Sequence, residues 1–134
     1  MLGDKLGEET GKVTVRRVLP SEGGGPKVET SFQASGKLLG VEASNFGTYT
    51  GVLRPDGHIF GAGQGVVMGK NGETAMWTGG GVGSFTPSGG TSFRGAIYYQ
   101  TQSPQWARLN GVAAVFEYEE DASGNTRDET WEWK

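Results

Sequence analysis

Glycine occupies every second position at 61, 63 and 65, and again at 79, 81 and 83. Each glycine inside a helix costs about 1 kcal/mol, so runs this dense exclude helices from the middle of the chain. In a strand, successive side chains point to opposite faces, and glycine at alternate places strips one face down to backbone. Such a strip lets a sheet coil tightly, or lets an aromatic ring lie against the chain. The 25 glycines follow no every-third-residue period, so a collagen-like chain is excluded.

Around these rows apolar and polar residues alternate between strong turn signals, the pattern of an all-β chain. Segments 46–54, 58–69 and 74–85 meet at RPDG and KNGE, and TPSGG leads on to 91–101. Asn71-Gly72 fits the two-residue type I′ turn, which needs positive φ at both central positions. After QSPQ come 106–120, the loop DASGN and 126–134; toward the N-terminus, 12–20 and 27–43 are weaker strands on either side of SEGGG. An open meander of this length leaves two unpaired edges, whereas a barrel leaves none. The expected fold is therefore all-β, a closed eight-stranded, mostly antiparallel meander barrel, with residues 1–134 forming one domain.

A chain of 134 residues buries a core without disulfides or a structural metal. Its net charge of -3 provides no basic surface to neutralise a phosphate backbone, which argues against nucleic acid as a partner. The absence of cysteine removes thiolate metal sites and thiol nucleophiles and fits a reducing compartment. MLGDKLGEETGK lacks the apolar stretch of a signal peptide, and LLGV and VAAVF are too short to span a bilayer. A cytoplasmic protein with no membrane partner is expected.

Residues opposite each other in an antiparallel pair share a side of the sheet. With two-residue turns at Asn71-Gly72 and Pro55-Asp56, Val66 faces Trp77, Gln64 faces Gly79, Leu53 faces His58 and Tyr49 faces Ala62. The interior then receives Tyr49 and Leu53 from one strand and His58, Phe60, Gln64 and Val66 from the next. Trp77 and Phe85 follow, then Phe93, Ile97 and Tyr99. In this register Gly61, Gly63 and Gly65 point outward and Gly79, Gly81 and Gly83 inward; a slip of one residue puts both rows together. Arg108 and Asn110 join the interior if Thr101 pairs with Trp106.

Several motifs fall to their spacing. GAGQGVVMGK (61–70) has the look of a phosphate-binding loop, but Gln64 stands where the pattern needs its first glycine and Asn71 where it needs Ser or Thr. The dinucleotide fingerprint fails at Val66. His58, the single histidine, is the one candidate general acid or base, and one histidine builds neither a triad nor a histidine-rich metal site. No metal and no cofactor are expected. Asp121, Ser123, Asn125, Glu129 and Glu132 fit a calcium-loop template, yet Thr126 stands where that template needs glycine, so a hairpin loop with a solvated acidic strand is the reading. Trp131 and Trp133 share a face and are read as core. Leu109, Ala113 and Val115, with Ile59, Val67 and Val82, form a candidate outer patch for a homo-oligomer.

The stretch VLRPDGHIFGAGQGVVMGKNGETAMWTGGGVGSF, followed by SFRGAIYYQT, ARLNGVAAVFEYE and the terminal TWEWK, resembles a group of uncharacterised bacterial proteins of the allene oxide cyclase-like barrel class. The resemblance implies a closed eight-stranded barrel with a central cavity. Plant members of that class isomerise a fatty-acid epoxide inside the barrel; none of their catalytic residues matches a position in this chain.

The leading functional reading is a barrel that binds a small, largely apolar molecule, with Tyr49, His58, Gln64, Trp77, Tyr99, Arg108 and Asn110 lining the cavity. One alternative is an isomerase or cyclase acting on a lipid-like or polyene substrate, with His58 or a tyrosine handling a proton. Another is a filled structural barrel that assembles as an oligomer. A void of several hundred Å³ with convergent polar groups favours binding or catalysis; a packed interior favours structure.

Overall fold

The computed structural model describes all residues, Met1–Lys134. Its strands are β1 (Leu2–Leu19), β2 (Lys27–Leu38), β3 (Val41–Leu53), β4 (Ile59–Gly69), β5 (Thr74–Phe85), β6 (Thr91–Thr101), β7 (Ala114–Glu120) and β8 (Asn125–Trp133). They pair antiparallel in chain order, and β8 returns to β1, so the expected closed eight-stranded meander barrel is the fold observed. A 3₁₀ helix, Pro104–Gly111, lies between β6 and β7. No helix is long and apolar enough to cross a membrane.

Four hairpins use the same three-residue loop. The N–H of Arg54, Gly69, Thr86 and Asp121 donates to the carbonyl four residues on, at 2.8, 2.8, 2.9 and 2.9 Å. The residue before that carbonyl is glycine in each case, with φ of 90°, 94°, 94° and 83° at Gly57, Gly72, Gly89 and Gly124. A type I turn followed by one left-handed residue has this form. Asn71-Gly72 is therefore not a two-residue turn, because Lys70 belongs to the loop and only Gly72 has positive φ there. The type I′ position is Leu39-Gly40, with φ of 48° and 78°, inside the segment 27–43 that reads as one strand from its sequence.

The extra loop residue shifts each pairing by one. Gly65 faces Trp77, Gly63 faces Gly79 and Gly61 faces Gly81, while Leu53 faces Ile59 and Tyr49 faces Gly63. Both glycine rows thus line the interior, and β4 is inverted relative to the sequence expectation: Ile59 and Val67 are buried, whereas Phe60 and Gln64 are exposed and Val66 points outward. The aromatic rings need this bare backbone. A Cβ on Gly83 would stand 2.6 Å from Phe93 Cδ1, and one on Gly47 would stand 2.7 Å from both Phe32 Cζ and Trp77 Cζ2.

Other expectations change with the register. On β8 the inward residues include the buried Thr126 and Thr130, so Trp131 and Trp133 lie on the outer side and Trp133 is exposed. Phe85 is exposed near a rim. Leu109, Ile59 and Val67 are buried and form no outer patch. Residues 106–111 are helical, not strand: Trp106 and Leu109 are completely buried, and the Trp106 indole N–H donates to the Leu38 carbonyl at 3.0 Å, closing one end of the barrel. Finally, β1 starts ten residues before the expected Lys12 and zips onto β8. A register shift between Val13 and Val15 then turns Arg16 to stand opposite the buried Thr30.

Candidate functional site

The barrel interior holds a cavity of about 100 Å³. Rings of Phe32, Tyr49, Trp77, Phe93, Tyr99 and Tyr118 form much of its wall, with the bare backbone of Gly61, Gly63, Gly79 and Gly81 between them. Tyr49 packs edge-on against Phe93 at 5.7 Å and Tyr118 at 5.9 Å between centroids. These contacts arise because odd residues of β3 to β6 share the inner face, a consequence of three-residue loops that leave odd positions opposite odd ones.

Two polar clusters break the apolar wall. In the first, Glu120 is buried, and its Oε2 accepts hydrogen bonds from the hydroxyls of Tyr49 at 2.7 Å and Tyr118 at 2.9 Å. Its Oε1 is paired with the guanidinium of Arg16, which the β1 register shift has turned inward. Burial, followed for Tyr49 by the Glu120 charge and for Tyr118 by the Tyr49 and Glu120 charges, drives both phenol pKa values upward. Both tyrosines therefore act as neutral donors to the carboxylate.

In the second cluster, Glu9 of β1 and Asp128 of β8 are direct cross-strand partners. The buried Asn45 holds Glu9: its amide donates to Glu9 Oε1 at 2.7 Å, while its own oxygen accepts the Trp77 indole N–H at 2.8 Å. Burial first, then the neighbouring Glu9, pushes the Asp128 carboxyl well above the ordinary aspartate range. Beside Glu9, Asp128 therefore keeps its proton to higher pH than an isolated aspartate. Burial and the charges of Glu9 and Asp128 also raise the Tyr99 phenol.

Of the residues singled out from the sequence, Tyr49, Trp77 and Tyr99 come together in the cavity wall. The other four lie elsewhere. His58 is exposed beside its own turn, with Nδ1 3.3 Å from Asp56 Oδ1. Gln64 is on the outer face and donates to the Thr48 carbonyl at 3.2 Å, having been inverted with the rest of β4. Arg108 is exposed on the 3₁₀ helix and pairs with Asp4 and Glu132, both at 2.9 Å. Asn110 closes the same connection, accepting from the Thr101 N–H at 2.8 Å and donating to the Thr101 carbonyl at 2.9 Å.

Glu9, Asn45, Asp128 and Glu120 escape the sequence reading. Their signal was the phase of alternation: Glu9 falls in step with Gly7, Gly11 and Val13, and Asp128 with Thr126 and Thr130. A carboxylate in an otherwise small or apolar phase is the mark of an inward-facing acid.

No family model and no curated protein matches the chain. Solved structures do match its fold. A protein of unknown function from Clostridium acetobutylicum ATCC 824 superposes with a TM-score of 0.84 at 12% identity, covering 98% of each chain. A conserved protein of unknown function from Rhodopseudomonas palustris gives 0.81 at 15%, covering 99% of each. A β-barrel-like protein from Acinetobacter baumannii AYE gives 0.84 at 11%, covering 98% of this chain and 94% of that one. At such identities the likeness extends to the barrel and no further.

Proposed function

We propose that the protein is a binding barrel that receives one compact small molecule in its interior. The observation that carries this reading is the Glu9–Asp128 pair, set by Asn45 into a wall of rings and glycine backbone around an open volume. Few convergent polar groups in an apolar concavity are the usual composition of a ligand site. The resemblance to the allene oxide cyclase-like class, whose plant members work inside the barrel, supports looking to the same place.

At about 100 Å³ the cavity falls short of the several hundred Å³ expected of a binding or catalytic barrel, which leaves room for a compact molecule alone. It is of the order of the ~150 Å³ apolar cavity that takes up benzene. A lipid-like or polyene substrate exceeds it, and His58 lies outside it, so a cyclase reading has little support. Thermal-shift screening of compact ring and branched compounds tests the proposal. A hit should raise the melting temperature of the wild type and lose its effect in Ala43→Leu, which fills the wall. A shift that survives in that variant places the ligand on the surface and sinks the reading.

A second reading, homo-oligomerisation, is favoured by the outer face of β3 to β6. Phe46, Val66 and Met76 are cross-strand neighbours there, as are Val52, Phe60 and Val82. β4 and β5 carry no charged residue, whereas the outer side of β7, β8, β1 and β2 bears Glu117, Arg127, Glu129, Lys5, Lys12 and Lys37. Four strands over about eight residues span an area of roughly 500 Å², approaching the ~800 Å² per partner of a stable interface. A second copy of this face, charged only at its flanking strands by Glu42 and Arg94, is its natural cover. Sedimentation should give an oligomer that Met76→Glu dissociates; a monomer at high concentration rejects this reading.

A further inference from the structure

Resting on the interior site proposed above, we infer that its ligand is a compact organic cation, a primary or quaternary amine, received by Glu9 and Asp128. Two carboxylate sites lie among the inner rings and are neutralised differently; Glu73, also buried, is held in the β4–β5 loop by the Asn71 N–H. Glu120 has Arg16 as its counter-charge. Glu9 and Asp128 have none: Lys37 is the only cation among the wall-forming residues, and it is exposed, standing across from Glu8 on the outer face.

The two cross-strand carboxyl groups lie in a ring-lined space with no cation facing them. Charges in such surroundings are normally paired, so the site is complementary to a positive charge that the chain itself does not supply. An ammonium group offers N–H donors to both carboxyls, and the rings of Trp77, Tyr99 and Tyr118 offer faces that attract a cation. A hard metal ion needs six or more oxygen ligands. Here the Asn45 oxygen is already taken by Trp77. A neutral molecule leaves the charge unpaired, and an anion is repelled.

Isothermal titration calorimetry at pH 7 tests this with isobutylamine and tetramethylammonium against isobutanol, isobutyrate, Na⁺ and K⁺. The amines should bind at least tenfold tighter than the neutral and anionic isosteres. Glu9→Gln combined with Asp128→Asn should weaken amine binding at least tenfold, with an unchanged circular dichroism spectrum. Should the variant fail to fold, the wild-type ranking of amine against isobutanol and isobutyrate decides. Equal binding of isobutanol or isobutyrate, or competition by Na⁺ or K⁺ at like concentration, overturns the cationic class while leaving an interior site standing. If no compact molecule binds, charged or neutral, the interior reading falls with it.

Discussion

Gly65 and Gly72 each lack a side chain for a different reason, and single substitutions separate the two. Gly65 has no unusual φ, but a Cβ there would fall onto the Trp77 indole. Gly72 has a φ of 94° and open space around it. Gly65→Ala should cost about 1–3 kcal/mol through overpacking, and move the Trp77 indole N–H resonance as the ring leaves Asn45. Gly72→Ala should cost about 1 kcal/mol through left-handed strain alone, with that resonance unmoved. Urea melts and proton spectra check both. Asp128 adds a pH signature. Its folded-state pKa is raised, so its contribution to stability is complete below the ordinary aspartate range and is lost as pH rises through the raised value. Asp128→Asn should therefore raise the melting temperature more at pH 8 than at pH 4; an equal gain at both removes the account of a raised Asp128.

At the scale of elements, the turns and the 3₁₀ helix decide what faces inward. RPDGH, GKNGE, TPSGG and DASGN all carry glycine in fourth place, so the recurrence of one loop type is readable from the chain. Its length is harder to read, because Asn-Gly satisfies both a two-residue turn and a three-residue loop with a left-handed glycine. The choice depends on which residues pair across the sheet. Leu39-Gly40 is hidden for another reason, since leucine disfavours the positive φ it adopts there. The helix was masked because ARLN and GVAAVF alternate well enough to pass for one strand. Trp106→Ala should cost about 3–5 kcal/mol, the range for a buried ring, and Asn110→Ala about 1–3 kcal/mol by leaving the Thr101 backbone unpaired. Denaturant unfolding measures both, and a near-neutral Trp106→Ala would mean that the helix does not close the barrel.

For the whole molecule, closure is the governing feature. Residues 2–11 pair with β8 on one side and, from Gly7 on, with β2 on the other. Their removal should leave β8 and β2 as open edges and yield an aggregated or unfolded chain by circular dichroism and light scattering. A soluble, cooperatively folding truncation would show that Lys12 is the functional start of the first strand. The same segment carries Glu9, which its sequence hides: a charged, glycine-containing N-terminus gives no apolar phase by which to recognise a strand. Tyr49, Trp77 and Tyr99 are legible because their strands keep the same parity under either reading of the loops, whereas Gln64 sits on the strand that the extra loop residue inverts and His58 closes that loop just before it. Alternation and turn chemistry, which are local, determined the strand count, their order and the need for closure. Which side of each strand faces the core, and hence that two carboxyls meet inside, was decided only by the tertiary structure, because one loop residue exchanges the faces and only burial of the rings against both glycine rows chooses between them.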